Sequence, residues 1–233
     1  MDHFVDVYRR NAEAYQRMIA AEDVDGNLLP ALRAVADFCG GTVIDLGSGT
    51  GRLPLLLAAE GARVVGLDLH RAMLEESRRQ RRGSDSQWSL LHADMHAVPL
   101  ASACADVVTA GWAMGHFTAW YGEKWQTHVQ RVLREMRRVA APEGALIVLE
   151  TLGTGRLTPA PPAPRLGRYY EYLESAWGFR RQEIRTDYQF ATVEDAVAAT
   201  EFFFGPALSE AIRANGWTRV PEWTGVWSRP AQL

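Results

Sequence analysis

The chain has 233 residues, of which 47% are hydrophobic, and a formal net charge of −3 at pH 7. This length is enough for one sizeable core and short for two full domains. The mildly acidic balance argues against general nucleic-acid binding, which needs a basic face. The two cysteines, Cys39 and Cys104, are too few for a disulfide framework or a four-thiolate metal site. There is no apolar run of transmembrane length and no basic segment followed by an apolar one at the N-terminus. We therefore expect a soluble, unexported, cytoplasmic protein without a membrane span.

Two helices are predicted before the first strand. Residues 2–22 carry apolar side chains at helical spacing, which indicates one amphipathic helix. Residues 28–38 form a second helical segment, which Gly40 and Gly41 end. We expect residues 1–41 to form an N-terminal helical cap, which covers either a ligand cleft or an edge of the sheet.

Strands and helices then alternate across residues 42–150. The predicted strands are 42–46, 63–67, 88–92, 105–110 and 145–150, and the predicted helices are 52–60, 71–82 and 121–139. Such alternation forms βαβ units, so we predict an α/β fold with a doubly wound, mostly parallel sheet. Right-handed crossovers place the loops that follow the strands along one edge of that sheet.

The tail, residues 151–233, departs from this alternation. It contains a predicted helix at 166–177, a strand at 179–190, helical residues at 191–215 and a final strand at 217–228. The many charges of the strand at 179–190 suit a half-exposed antiparallel position. Gly205-Pro206 breaks the last helical segment in two.

The densest cluster of glycines follows the first predicted strand. There, within residues 43–51, an apolar, β-branched run meets an acid and then three alternating glycines, namely Asp45, Gly47, Gly49 and Gly51. This pattern predicts a buried strand that turns tightly at its carboxyl end. Glycine allows positive φ there and lets a ligand approach the backbone. The dinucleotide-binding pattern requires a glycine where this chain has Arg52, and no P-loop lysine follows.

Acidic residues also follow the next two predicted strands. Asp68 ends the second strand, where a carboxylate accepts hydrogen bonds from ribose hydroxyls in nucleotide-binding sheets. Asp94 follows the third strand. Acids at three successive strand ends suit a ligand with a ribose, an exocyclic amine and a cationic centre. They suit a pyrophosphate poorly, because like charges repel.

Five segments of the chain, in order, resemble the motifs of class I S-adenosylmethionine (SAM) dependent methyltransferases. They are residues 43–53, 64–74, 91–95, 105–117 and 138–144. The subgroup that the chain resembles most is that of the ubiquinone-biosynthesis-like enzymes, which act on small molecules. One departure is Glu143, where a glycine is more usual, and it lies in a turn.

This resemblance implies a Rossmann-like, doubly wound, mostly parallel sheet with an antiparallel C-terminal strand and an N-terminal helical addition. It also implies a single SAM-dependent methyltransferase domain over residues 1–233. In that domain residues 42–150 would bind SAM, and residues 151–233 would lie on the substrate side.

The resemblance also implies roles for individual residues. The loop glycines would let the backbone pass under the amino-acid tail and sugar of SAM, and Asp45 would orient that loop or the ligand's ammonium group. Asp68 would accept hydrogen bonds from the ribose, and Asp94 from the adenine amino group. The other implied cofactor-binding residues are Leu69 and Met95, beside the adenine ring, and Gly111, whose backbone would face the methionine portion. The implied cofactor is SAM, with S-adenosylhomocysteine as its product.

Two residues are candidates for catalysis. Methyl transfer is an in-line displacement in which the cofactor carries the reactive group, so a general base is needed only for a poor nucleophile. His116, just past the fourth strand, is the first candidate, because histidine titrates near neutral pH. Its alternative is a hydrogen-bonded loop residue. Glu150, at the end of the fifth strand, is the second candidate, and its alternative is a cap on the following turn.

Other patterns indicate no further chemistry. His92 and His96 straddle a strand end and a loop without the paired spacing of a metal site, so no metal is expected. The arginines within 78–82 lie in the last turn of a helix, where cations favour the helix dipole, and do not indicate nucleic-acid binding. Aromatic residues after the fourth strand and at 202–204 suit an apolar or aromatic acceptor, although core packing also explains them.

The function predicted from the sequence is transfer of the SAM methyl group to an O, N or C atom of a small organic acceptor. One alternative is a protein that binds SAM without methylating, as a sensor or as the subunit of a partner. Another is a nicotinamide oxidoreductase on a related sheet, against which Arg52 and the lack of a Tyr-x-x-x-Lys pair weigh. A homodimer is compatible with the sequence.

Overall fold

The computed structural model describes residues 3–232, and within them the chain forms a seven-stranded and a two-stranded sheet. The strands are β1 (Thr42–Leu46), β2 (Arg63–Asp68), β3 (Trp88–His92), β4 (Ala105–Gly111), β5 (Ala140–Thr154), β6 (Arg180–Arg185), β7 (Tyr188–Gln189), β8 (Arg219–Val220) and β9 (Glu222–Pro230). The large sheet has the order β3-β2-β1-β4-β5-β9-β6. Its first five strands are parallel, and β9 runs antiparallel to both β5 and β6. The predicted Rossmann-like α/β fold is therefore confirmed.

Helices cover both faces of the large sheet. They are α1 (His3–Arg10), α2 (Ala12–Ile19), α3 (Leu28–Arg33), α4 (Arg52–Ala59), α5 (Arg71–Arg82), α6 (Phe117–Trp120), α7 (Trp125–Val139), α8 (Pro164–Ser175), α9 (Val193–Phe204) and α10 (Pro206–Asn215). One buried cluster joins the sheet to α7 and α8, and another joins it to α3 and α4. In α7, Val129, Val132 and Met136 are fully buried, because their spacing puts them on one face of the helix.

A third cluster lies at the end of the sheet where the parallel strands finish. Met18 and Ile19 of α2 pack there with Ala196 of α9 and Ile212 of α10. The N-terminal and C-terminal segments thus meet over the loops that follow the parallel strands. None of the helices in residues 3–232 has the length and apolar character needed to cross a bilayer.

The predicted helix at 2–22 is divided in two, and its residue 2 lies outside the described residues. Asn11 has φ −123° and ψ 28°, outside the helical region, and stands at the N-cap of α2. Asparagine favours such positions over a helix interior. The single helix predicted for this segment is therefore wrong.

Two other predicted helices are markedly shorter in the structure, and the helix predicted at 52–60 ends one residue earlier, at Ala59. The helix predicted at 28–38 ends at Arg33. Beyond it, Phe38 is buried in the core and the Asp37 carboxylate accepts the Cys39 N–H at 3.0 Å. The helix predicted at 121–139 begins at Trp125, because Gly122 has φ +50° and interrupts the helical path.

Strand lengths also differ from the prediction. The strand predicted at 145–150 runs from Ala140 to Thr154, because β9 pairs along it as far as Thr154. The strand predicted at 179–190 divides into β6 and β7, which belong to different sheets, and the strand predicted at 217–228 divides into β8 and β9. The predicted helix break is confirmed at Gly205, which has φ +80° and is followed by Pro206 at the start of α10.

Candidate active site

The glycine loop after β1 lies at the edge of the sheet where the parallel strands end. The N–H groups of Gly47 and Ser48 both donate to the Leu67 carbonyl of β2, at 2.8 and 2.9 Å. Gly47 has φ +72°, and a Cβ there would lie 2.8 Å from Ala113 Cβ. Gly49 has φ +54°, and apart from Gly49 and its neighbours Ser48 and Thr50, no described residue has an atom within 4 Å of the position of its Cβ. The loop is thus tightly packed at Gly47 and open to a cleft at Gly49.

Asp68 ties the end of β2 to this loop. Its Oδ2 accepts the Gly49 N–H at 2.9 Å, and its Oδ1 accepts the His70 N–H at 2.7 Å. Burial raises the pKa of Asp68, and the two backbone hydrogen bonds oppose that shift. The carboxylate therefore holds the position of the open glycine.

Asp45 lies beneath the loop and is almost fully buried. Its Oδ1 accepts a 2.5 Å hydrogen bond from the Thr109 hydroxyl of β4, and burial raises its pKa to about 7. A carboxyl with this pKa is only partly ionised at neutral pH, so a cation beside it would favour its charged form.

A narrow cleft of about 120 Å³ runs from the loop along the ends of β2, β3 and β4. The predicted cofactor-binding residues that line it are Gly47, Gly49, Asp68, Leu69, Asp94, Met95 and Gly111. Leu69 is 57% exposed, as expected of an apolar side chain on the wall of a cleft. Asp94 Oδ1 accepts from His96 at both the backbone N–H and ring Nδ1, at 2.8 and 2.7 Å.

A larger cavity of about 520 Å³ adjoins the cleft. The two share wall residues from the glycine loop and from the end of β4, including Gly49, Gly111 and Trp112. Aromatic and apolar side chains from both ends of the chain also line the larger cavity, among them Phe4, Tyr8, Tyr15, Met18, Phe203 and Leu208. A ligand in the cleft would therefore reach a second, mostly apolar compartment.

His116 lies where the cleft and the cavity meet. It ends the short 3-10 turn Met114–His116 after β4 and lines both spaces. Its Nε2 is 2.8 Å from the Tyr8 hydroxyl of α1, and its ring stacks on Trp120 with centroids 5.0 Å apart. The imidazole is thus oriented by contacts from two helices.

Glu150 lies on the cavity wall beneath that 3-10 turn. Its Oε1 accepts the Gly115 N–H at 2.8 Å and the Tyr169 hydroxyl at 3.3 Å. The residue is 4% exposed, and burial raises its pKa from 4.5 to about 8. Glu150 therefore anchors the backbone that carries His116, and it is largely protonated at neutral pH.

Glu150→Gln is expected to make stability less dependent on pH. Because the pKa of Glu150 is raised in the folded state, its contribution to stability is fully present below about pH 4.5 and is lost as pH rises towards 8. Glutamine stays neutral and keeps the acceptor oxygen. We expect the melting temperature to fall less between pH 5 and 8 in the variant, measured by differential scanning calorimetry.

The decline should be reduced rather than abolished, since burial also raises the pKa of Asp45 and Glu222. Glu143→Gln, which replaces an exposed glutamate on the same strand, is the matched control. If Glu143→Gln and Glu150→Gln change the pH profile equally, the shifted pKa assigned to Glu150 is wrong.

Comparison with known proteins decides the family. A methyltransferase-domain model matches residues 44–148. The ubiquinone/menaquinone biosynthesis C-methyltransferase of Acidiphilium cryptum is 32% identical over 182 residues, which cover 77% of this chain and 67% of that protein. The chain belongs to the class I SAM-dependent methyltransferases.

Other relatives agree with this assignment. The demethylmenaquinone methyltransferase of Clavibacter sepedonicus is 32% identical over 144 residues, or 62% of this chain. The match covers 52% of that protein, so the chain spans about half the length of this relative. The phosphoethanolamine N-methyltransferase 2 of Haemonchus contortus, solved with SAM, has a TM-score of 0.59 at 15% identity and covers 99% of this chain and 60% of that one. The last similarity shows the fold alone.

Most of the site residues predicted from the sequence lie together. Asp45, His116 and Glu150 line the larger cavity, next to the cleft. Gly51 is turned away from both spaces, because its Cβ position lies 2.6 Å from Ser77 Oγ of α5. His92 Nε2 lies 2.9 Å from the Leu69 carbonyl oxygen. Among residues 3–232 no group of three His, Cys, Asp or Glu side chains is arranged to hold a metal ion.

The cavity wall also carries ionisable groups that were not predicted from the sequence. Arg52 Nη1 pairs with Glu22 Oε2 at 2.7 Å, and the guanidinium lies 4.5 Å from the centroid of the Trp112 ring. Glu222 is 2% exposed, its Oε1 accepts the Thr151 hydroxyl at 2.7 Å, and burial raises its pKa to about 8. In the sequence, Arg52 stands out only as a departure from the dinucleotide-binding pattern. Its partner Glu22 lies on a different segment, and no local sequence pattern marks Glu22 as part of a site.

Proposed function

We propose that the chain transfers the methyl group of SAM to an O, N or C atom of a small apolar or aromatic acceptor. One observation carries the proposal. The cleft along the glycine loop and the strand-end acids opens into an adjoining 520 Å³ cavity with aromatic walls. A cofactor and an acceptor need two such spaces that meet. The names of the two relatives point to quinone-type acceptors, and this supports an aromatic substrate.

The residues around the cleft fit SAM. The open space beside Gly49 leaves room for a ligand against the backbone. Asp68 lies next to Gly49 at the end of β2, the position from which a carboxylate accepts hydrogen bonds from ribose hydroxyls. The partly ionised Asp45 suits the ammonium group of the methionine portion, near Gly111. We propose that Asp94 accepts a hydrogen bond from the adenine amino group and that Leu69 and Met95 lie beside the adenine ring. All three residues line the cleft.

SAM supplies an electrophilic methyl group when it is bound. The residues of this chain must orient the acceptor, exclude water and, where the acceptor is a poor nucleophile, accept a proton from it. We assign proton transfer to His116, because it lines both spaces and is oriented by Tyr8 and Trp120. Glu150 we assign to positioning, since its Oε1 is engaged by the Gly115 N–H of the same turn.

His116→Ala is expected to lower kcat by about 100-fold or more, the usual range for loss of a general base. Its effect on SAM affinity should be small, since the cofactor contacts proposed above do not include its ring. Both quantities can be measured, by initial rates and by calorimetric titration of SAM. Tyr8→Phe removes the hydroxyl that contacts Nε2 but keeps His116 itself, so it is expected to lower kcat less than His116→Ala does. Unchanged turnover in His116→Ala would remove His116 from the mechanism.

We further propose that residues 1–233 act as one domain, with a helical cap at 1–41, a SAM-binding core at 42–150 and a substrate side at 151–233. The supporting observation is that Phe4 and Phe203, from the two flanking segments, line the cavity that adjoins the core. A small-molecule acceptor, rather than a nucleic acid, suits this cavity. The cytoplasmic location and the homodimer remain predictions.

The direct test is incubation of the purified chain with methyl-labelled SAM and a panel of phenolic and quinone-like acceptors. Label recovered in an organic product, together with S-adenosylhomocysteine, is the expected result. Saturable SAM binding with no transfer to any acceptor would favour the sensor alternative.

A further inference from the structure

The larger cavity continues well past the level of the cofactor cleft. Strand β4 ends at Gly111, which pairs with Leu149, whereas β5 runs on to Thr154. At about 3.3 Å per extended residue, and with a β-bulge between Thr151 and Gly153, the end of β5 lies at most roughly 15 Å beyond that level. Arg156 follows this end, Arg165 lies in the first turn of α8, and both line the cavity. The cavity wall therefore carries two arginines in addition to Arg52.

These two arginines have no acidic partner in the part of the chain described. Both are exposed, and within residues 3–232 neither guanidinium is within 4.0 Å of a carboxylate. Arg52, which lines the same cavity nearer the loop, is instead paired with Glu22. The Cδ atom of Arg156 packs over Gly153, 2.6 Å from where a Cβ would be, which restricts the stem of that side chain.

The acids of the cavity wall do not offset this positive charge. Glu22 is already paired with Arg52. Asp45, Glu150 and Glu222 are all buried, and burial raises their pKa values to about 7, 8 and 8. Glu150 and Glu222 are thus mostly neutral at pH 7, and Asp45 is about half ionised. Positive groups on a concave apolar surface attract anions more strongly than they would on an open surface.

We propose that Arg156 and Arg165 bind an anionic group of the acceptor, a carboxylate or a phosphate, on the wall of the larger cavity. Guanidinium groups bind both anions through paired N–H donors. Apolar side chains such as Leu208 and Phe203 line the same cavity. The acceptor is therefore an elongated apolar molecule with an anionic end, and its other end reaches the cleft. This inference rests on the proposed function, because it describes the acceptor of the same reaction.

The test measures acceptor binding without SAM, so it is independent of methyl transfer. The probes are phenylpentanoate, phenylpentyl phosphate and phenylpentanol, which share one apolar body and differ in the end group. Each is titrated into the full chain by isothermal calorimetry. We expect at least one anionic probe to bind roughly tenfold more tightly than the alcohol, the order of magnitude expected for two partly exposed ion pairs. The stronger of the two anionic probes identifies the anion as carboxylate or phosphate.

Charge reversal locates the site. Arg156→Glu and Arg165→Glu should each reduce the preference for the anionic probe, and the double variant should abolish it. Arg168→Glu is the matched control, because Arg168 is exposed on the same helix and does not line the cavity. Circular dichroism and the melting temperature establish that each variant is folded. Equal binding of alcohol and anions by the unmodified chain would overturn the proposal, as would an anion preference that survives in the double variant. Neither result would affect SAM binding, which is titrated separately.

Discussion

Gly49→Val is expected to abolish SAM binding, with a loss of affinity of about 100-fold or more. The reason is steric. Apart from Gly49 and its two chain neighbours, no described residue has an atom within 4 Å of the Cβ position at Gly49, and that open space is the part of the cleft where we place the cofactor. A valine there would fill the space with two methyl groups. Calorimetric titration of SAM into the variant measures the effect.

Valine at Gly49 would also strain the backbone, since φ is +54° there. Gly178→Val controls for that strain, because Gly178 has φ +69°, an equally open Cβ side and no place on either cavity wall. Both variants should lose stability by about 1–2 kcal/mol, the cost of a left-handed conformation without glycine. Only Gly49→Val should lose SAM binding. Equal SAM affinity in the two variants would show that the ligand does not lie over Gly49.

Asp68→Asn is expected to weaken SAM binding roughly 10- to 100-fold, because loss of a hydrogen bond to a charged group costs about 1.5–3 kcal/mol. In the structure Asp68 accepts from two backbone N–H groups, one at Gly49 and one at His70. An asparagine has one acceptor oxygen, so its amide N–H₂ would face one of these donors or the ribose. We therefore expect the glycine loop to be less stable and the ribose to be bound less tightly. Calorimetry gives the affinity, and melting temperature gives the accompanying loss of stability.

Asp106→Asn is the control for the structural part of this effect. Asp106 accepts the backbone N–H of Thr42 at 2.7 Å, at the opposite edge of the sheet. Its replacement also removes a carboxylate that accepts a backbone N–H, yet SAM affinity should not change. If both aspartate variants bind SAM as the unmodified chain does, Asp68 is only a structural residue.

The parts of the fold with strong local patterns were predictable. The predicted strand at 88–92 and helix at 71–82 match β3 and α5 residue for residue, since hydrophobic spacing and flanking turn residues define them locally. The ends of other elements depend on distant contacts. Strand β5 reaches Thr154 because it pairs there with Glu222, which lies far along the chain, and no pattern near Thr154 signals this.

The same distinction applies to the candidate site. Asp68 and the glycines of the loop could be singled out because each lies at a strand end, and parallel strands bring such ends to one edge. The Arg52–Glu22 pair joins the start of α4 to the segment after α2, so only the folded chain reveals it. Arg156 and Arg165 likewise become notable only when the cavity that they line is seen.

Calorimetric titration of SAM into the purified, unmodified chain tests the central claim most directly. The account predicts saturable binding of one SAM per chain, with S-adenosylhomocysteine competing for the same site. Absence of binding by both ligands, in protein that circular dichroism shows to be folded, would contradict it.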